Sequence, residues 1–130
     1  MNTTLRQYLI VIIGASIVQA FLSCIDYFPW WGFTIGLVIL GIVITYNNNS
    51  LPLFKLGFVS GFIVWSIANF YFDIKGGGIL LKKTADLFTI NKTLLIMISG
   101  IIGGYVSGLS LYLAKLITTL ILFYKNDSSN

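Results

Sequence analysis

LLIMISGIIGGYVSGLSLYLA, residues 94–114, runs for 21 positions without a charged side chain. As a helix rising about 1.5 Å per residue it is about 30 Å long, the thickness of a bilayer's hydrocarbon core, and it satisfies every backbone N–H and C=O within itself. Three more charge-free stretches precede it: Tyr8 to Ile25, Phe28 to Tyr46 and Leu56 to Phe72. The chain as a whole is 57% hydrophobic and 9% charged, against about 25% charged in ordinary soluble domains. The expected fold is all-α: a polytopic membrane protein built as a four-transmembrane-helix bundle, with spans at about 8–25, 28–46, 54–72 and 94–114, the last extending to 124 if Lys115 snorkels. A soluble bundle would have no polar exterior, because these helices are apolar on every side. A transmembrane barrel needs alternating polarity, which Ile10 to Ile13 and Leu37 to Leu40 lack.

One domain is expected over residues 1–130, since no tail or connection is long enough for a second core. Asn47 to Pro52 reads as the turn between the second and third spans, and Lys125 to Asn130 as a polar tail. Arg6, followed by an apolar run ending at Phe21-Leu22-Ser23-Cys24, has the outline of a lipoprotein signal. The run is long enough to span, however, and Phe21 stands where such signals carry leucine. Cys24 is the only cysteine, so it reads as a packing residue with no disulfide or multi-thiolate site. Lysine and arginine are nearly balanced between the two sides. Arg6 before the first span, with nothing basic after it until the third, favours cytoplasmic termini. Tyr27, Phe28, Trp30, Trp31, Phe70, Tyr71 and Phe72 mark one interface and Tyr8, Tyr46 and Tyr124 the other.

Lipid tails are as apolar as leucine, so helix must meet helix through small residues and polar contacts. The last span carries two stripes of step four, Gly100, Gly104, Gly108 and Ser99, Gly103, Ser107, in the manner of a glycine zipper, and is the expected hub. Gly57 with Gly61, Gly32 with Gly36, and Ser16 with Ala20 and Cys24 are the matching faces on the other spans. Gln19 and Asn69 are the intramembrane polar residues: they either bond between helices or contact a solute, while Ser60, Ser66, Ser99, Ser107 and Ser110 can bond back to their own helices. Gly76, Gly77 and Gly78 end the third helix. From Ile79 to Phe88 the apolar Leu80, Leu81, Ala85, Leu87 and Phe88 oppose Lys82, Lys83 and Asp86. This is a short interfacial helix, lying on the bilayer or docking on a partner.

Chemistry is sparse. The chain has no histidine and no glutamate, which removes His-based triads, His metal ligands and Glu bases. Asp26 and Asp73 read as punctuation at helix ends. The net charge of +4 is spread over both faces without the dense patch that nucleic acid requires. No cofactor and no catalytic or metal-binding residue is expected. The glycine-spaced third span with Trp65, then Asp73, a glycine turn, the Ile-Leu…Leu-Phe segment and a glycine-rich last helix resembles small four-span inner-membrane proteins of Bacteroidota-type bacteria. The resemblance implies a bacterial inner-membrane location and no particular chemistry. Small multidrug transporters share the length but need a first-span glutamate where this chain has Gln19. Four-span fluoride channels share the glycines, but their phenylalanine and asparagine pore motifs are not found here. Two functions follow as expectations. One is a non-catalytic accessory subunit that packs, through other integral membrane subunits or copies of itself, in a larger protein complex. The other is a small homo-oligomeric channel or carrier for a neutral or anionic solute, lined by Ser107, Gly104, Asn69 and Gln19.

Overall fold

The computed structural model describes residues 3–25, 29 and 31–127, and Asp26, Tyr27, Phe28 and Trp30 of the sequence reading lie outside them. The described residues form five helices and no strand: α1 (Thr3–Ser23), α2 (Phe33–Asn47), α3 (Leu53–Lys75), α4 (Ile79–Leu87) and α5 (Lys92–Asp127). At about 1.5 Å per residue, α1, α3 and α5 are about 32, 35 and 54 Å long, so each is long and apolar enough to cross a bilayer. Over the second predicted span only α2 is described as helical, and its 15 residues, about 22 Å, fall short of a standard core. α5 continues unbroken through Lys115. That lysine does not stop the helix, because its Nζ reaches across 3.0 Å to donate to the Leu51 carbonyl in the α2–α3 turn. The hydrogen bonds Asn48–Gln7 and Thr119–Asn49 place the start of α1, this turn and the far part of α5 at one end of the bundle.

The contact between α3 and α5 is the most extensive in the bundle and is made backbone to backbone. A Cβ placed on Gly57 would sit 2.8 Å from the Ser107 carbonyl oxygen and 2.9 Å from the Gly108 Cα; one on Gly61 would sit 2.6 Å from the Gly103 carbonyl oxygen. In the reverse direction, a Cβ on Gly104 or Gly108 would sit 2.9 Å from the Phe58 or the Phe54 carbonyl oxygen. Antiparallel rows of step four thus face each other with backbone at the contact. Phe54, Phe58 and Phe62 fold their rings over Gly108, Gly104 and Gly100 in turn, and Tyr105 meets Phe58 edge-on at 5.4 Å between centroids. The atoms nearest Gly103, the middle member of the second stripe, are those of the Trp65 ring, which also packs edge-on against Phe33 of α2.

α2 meets α1 at Gly36 of its expected small face, but α1 attaches by a different face from the one its small residues suggested. α1 buries Val11, Ala15 and Gln19, whereas Ala20 and Cys24 are exposed and Ser16 is half-buried. Gln19 decides the rotation: a buried amide must point where it finds partners, and that turns Ala20, 100° further round, outward. On α2, Gly32 is buried and Gly36 takes Val18 and Leu22 of α1, but the close approach to α5 is at Gly41, whose Cβ would lie 2.6 Å from that of Ala114.

α3 and α4 end in the same way. Gly77 at φ 66° is the left-handed residue past α3, with Gly78 N–H donating to the Asp73 carbonyl at 2.8 Å and Gly77 N–H to that of Ile74 at 3.3 Å. At the end of α4 the left-handed residue is Thr89, φ 55°, with Ile90 N–H on the Ala85 carbonyl and Thr89 N–H on that of Asp86. This pattern satisfies the orphan carbonyls, but it places a β-branched residue where glycine is at home.

Gly57→Ala is expected to lower stability by about 1–3 kcal/mol in detergent unfolding, because both obstructing atoms are backbone and the helices must part. Gly14→Ala, where the new Cβ meets nothing within 4 Å, is the matched control and should leave stability unchanged or raise it by up to about 1 kcal/mol.

Candidate functional site

Three of the buried polar side chains gather at one level of the bundle. Gln19 of α1 is 1% exposed, and Ser60 and Ser107 are fully buried beside it. The Gln19 Nε2 donates to Ser60 Oγ at 3.2 Å and to the Ala15 carbonyl at 3.3 Å, while its Oε1 accepts from Ser107 Oγ at 2.9 Å. The serine hydroxyls also lie on helix carbonyls, Ser60 at 3.0 Å from the Gly57 oxygen and Ser107 at 2.8 Å from the Gly103 oxygen. One amide therefore ties α1 to α3 and α5 together, at the level where the glycines bring those two helices closest. A hydroxyl has one hydrogen: that of Ser60 goes to the Gly57 carbonyl while its oxygen accepts from Gln19, and that of Ser107 is divided between Gln19 Oε1 and the Gly103 carbonyl.

Asn69 works about two and a half turns further along α3 than Ser60. Its Nδ2 donates to Ser99 Oγ of α5 at 2.8 Å and to the Trp65 carbonyl at 2.8 Å. Both intramembrane amides singled out in the sequence thus bond between helices. Ser110 bonds back to the Val106 carbonyl at 2.8 Å, and Ser66, beside Gly100, has a buried hydroxyl with no partner.

The level beyond Asn69 holds an ion pair. Asp73, 9% exposed in the last turn of α3, pairs through Oδ2 with the Lys92 ammonium at the first residue of α5, and its other oxygen, Oδ1, is buried without a hydrogen bond. Gly78 covers the pair: a Cβ there would meet Lys92 Nζ at 3.3 Å. Spacing could not show this contact, since residues 74–91 separate the partners.

α4 has three sides. Ala85 is buried and Leu81 half-buried toward the bundle; Leu80, Leu87 and Phe88 are 77, 83 and 67% exposed; Lys82, Lys83 and Asp86 occupy the remaining side. An outward apolar sector with a charged sector opposite it is the amphipathic pattern shared by surface-lying and partner-docking helices.

Elsewhere the surface offers two shallow grooves of about 420 Å³, one between α2 and α5 and one beside Phe54, Phe58 and Tyr105. Neither is lined by Gln19 or Asn69. Among the described residues no three of His, Cys, Asp and Glu come together as a metal site.

Leucine at Gln19 with alanine at Ser107, measured singly and together as a double-mutant cycle in detergent, should give a coupling energy of about 0.6–2 kcal/mol. Lys92→Met is expected to cost about 1–3 kcal/mol, less than the ~3–5 of a fully buried pair because the lysine side chain is 40% exposed; adding Asp73→Asn should recover part of that loss. These roles are read from the chain's own geometry, for no family model, curated protein or solved structure matches it.

Proposed function

We propose that this chain is a non-catalytic integral subunit that packs against a larger assembly in the inner membrane and stabilises or positions it. The observation that carries the reading is the closure of the polar interior. Gln19 and Asn69, the residues best able to hold a solute at membrane depth, bond to serines on neighbouring helices, and neither of the two grooves described above is lined by them. A channel lined by Gln19 and Ser107 would need those bonds broken and α1 swung from α3 and α5. Interaction surface, by contrast, is plentiful: α4 presents Leu80, Leu87 and Phe88 outward, and α5 extends past the turn that ends the bundle.

In this reading α2 is a fourth crossing, its 15 residues held by protein on two sides at Gly36 and Gly41, where local bilayer thinning accommodates a short helix. The ends of the chain then share one side, and Arg6 supports assigning that side to the cytoplasm. α4 lies along the opposite surface with Lys82 and Lys83 toward headgroups or an acidic partner.

The test is purification through a tag in mild detergent, with identification of every chain recovered. At least one different membrane protein in near-stoichiometric amount is expected, and Leu80→Asn with Leu87→Asn should reduce its recovery. Recovery of this chain alone, whether as monomer or as multiples of itself, overturns the proposal.

A further inference from the structure

α5 carries two seven-residue repeats. The first is the buried one: Gly100, Gly104, Ser107, Leu111, Ala114 and Thr118, in alternating steps of four and three. Starting two residues later, Ile102, Val106, Leu109, Leu113, Leu116, Leu120 and Phe123 follow the same alternation without a break. Two residues are about 200° of helical rotation, so the second stripe runs along the side opposite the first. Its members are aliphatic or aromatic where the first, Leu111 apart, is small. Apart from the half-buried Val106 they are open, from 44% at Leu116 to 74% at Phe123.

Lipid makes no demand on periodicity; a helix facing acyl chains needs only to be apolar. A spacing that averages 3.5 residues through residues 102–123 is the pattern by which one helix seats its side chains between those of another. We propose that this stripe is a self-association seam and that its occupant is α5 of a second copy of this chain, parallel and related by a two-fold axis along the membrane normal.

Four observations support that occupant. Copies inserted in one orientation can pair α5 only in parallel, which sets each stripe residue against its own counterpart, the self-complementarity a two-fold interface requires. The flanking positions Ser110, Tyr112, Ile117 and Thr119 carry no charge, so identical helices meet without repulsion. The area is of the right order: the exposed parts of the stripe amount to at most roughly 700 Å² per copy, so a pair covering all of it would bury about 1,400 Å², against the ~1,200–2,000 Å² of specific stable interfaces. Finally, α5 outlasts its own bundle. Thr119 is level with Asn49 of the polar turn, and α5 runs on to Asp127, carrying Leu120 at 69% and Phe123 at 74% exposure past the point where the other helices can cover them. Along one edge of the stripe the groove lined by Thr34 and Val38 of α2 gives the incoming helix a second wall.

The seam requires no second kind of subunit, so its test is separate from the copurification above. In a Cys24→Ser background, single substitutions Leu109→Cys, Leu113→Cys, Leu116→Cys and Leu120→Cys are oxidised with copper phenanthroline in native membranes. Ile101→Cys and Ile121→Cys, exposed at 42 and 60% but off the stripe, serve as controls. Disulfide-linked dimer at the stripe positions should exceed the controls at least fivefold. Equal yields at all six positions, or no dimer at any, overturn the seam. A second readout uses energy transfer between labelled full-length chains in liposomes: Leu113→Ala with Leu116→Ala should cut the dimer fraction about tenfold, and an unchanged fraction contradicts the proposal.

Discussion

Two helices touching through bare backbone set the terms for this molecule. Where Gly57 and Gly61 face Ser107, Gly108 and Gly103, a single added carbon would fall 2.6–2.9 Å from main-chain atoms that cannot rotate away. In a solvent of acyl chains nothing expels apolar side chains toward one another, so association depends on dispersion at short range and on polar bonds made without water. The α3–α5 contact supplies both. Its closeness places the Ser60 and Ser107 hydroxyls on either side of one glutamine, and the phenylalanines displaced from the seam fold back over the opposing glycines.

The remaining helices add to this pair in order of how they satisfy polar groups. α1 comes in by its amide and takes its rotation from that bond. α2, which buries only Thr45 among polar residues and bonds that hydroxyl to its own Gly41 carbonyl at 2.8 Å, is held by fit, with Gly36 on α1 and Gly41 on α5. Past Asn69 the apolar interior gives way to the Asp73–Lys92 pair, so α3 and α5 are joined by backbone contact, neutral hydrogen bonds and charge in successive layers.

Much of this was legible in the chain. The charge gaps locate α1, α3 and the first part of α5; the triple glycine ends α3; the Ile79–Phe88 pattern gives α4 to within a residue. The hub role of α5 follows from its glycines. What failed has physical reasons. A small-residue stripe names a possible face, but Ala15 and Ala20 are equally small, and only the partners of Gln19 choose between them. Lys115 leaves the end of the last span open between 114 and 124, because nothing in sequence shows the carbonyl waiting at Leu51. Phe28 to Tyr46 lacks charge but not turns, so α2 starts at Phe33, later than the gap. Gly41 was passed over because it stands outside the step-four pair Gly32 and Gly36.

The ion pair at the end of α3 has one more consequence. Asp73 and Lys92 hold the two ends of residues 74–91 together, so everything between them, α4 included, leaves and re-enters the bundle through a single narrow neck. Loop-closure entropy grows only slowly with length, about 0.6 kcal/mol per doubling, and the neck is closed whatever it encloses. The excursion can therefore be lengthened or shortened on either side of α4 while α3 and α5 keep their register, so the reach of α4 can change without disturbing the packing beneath it.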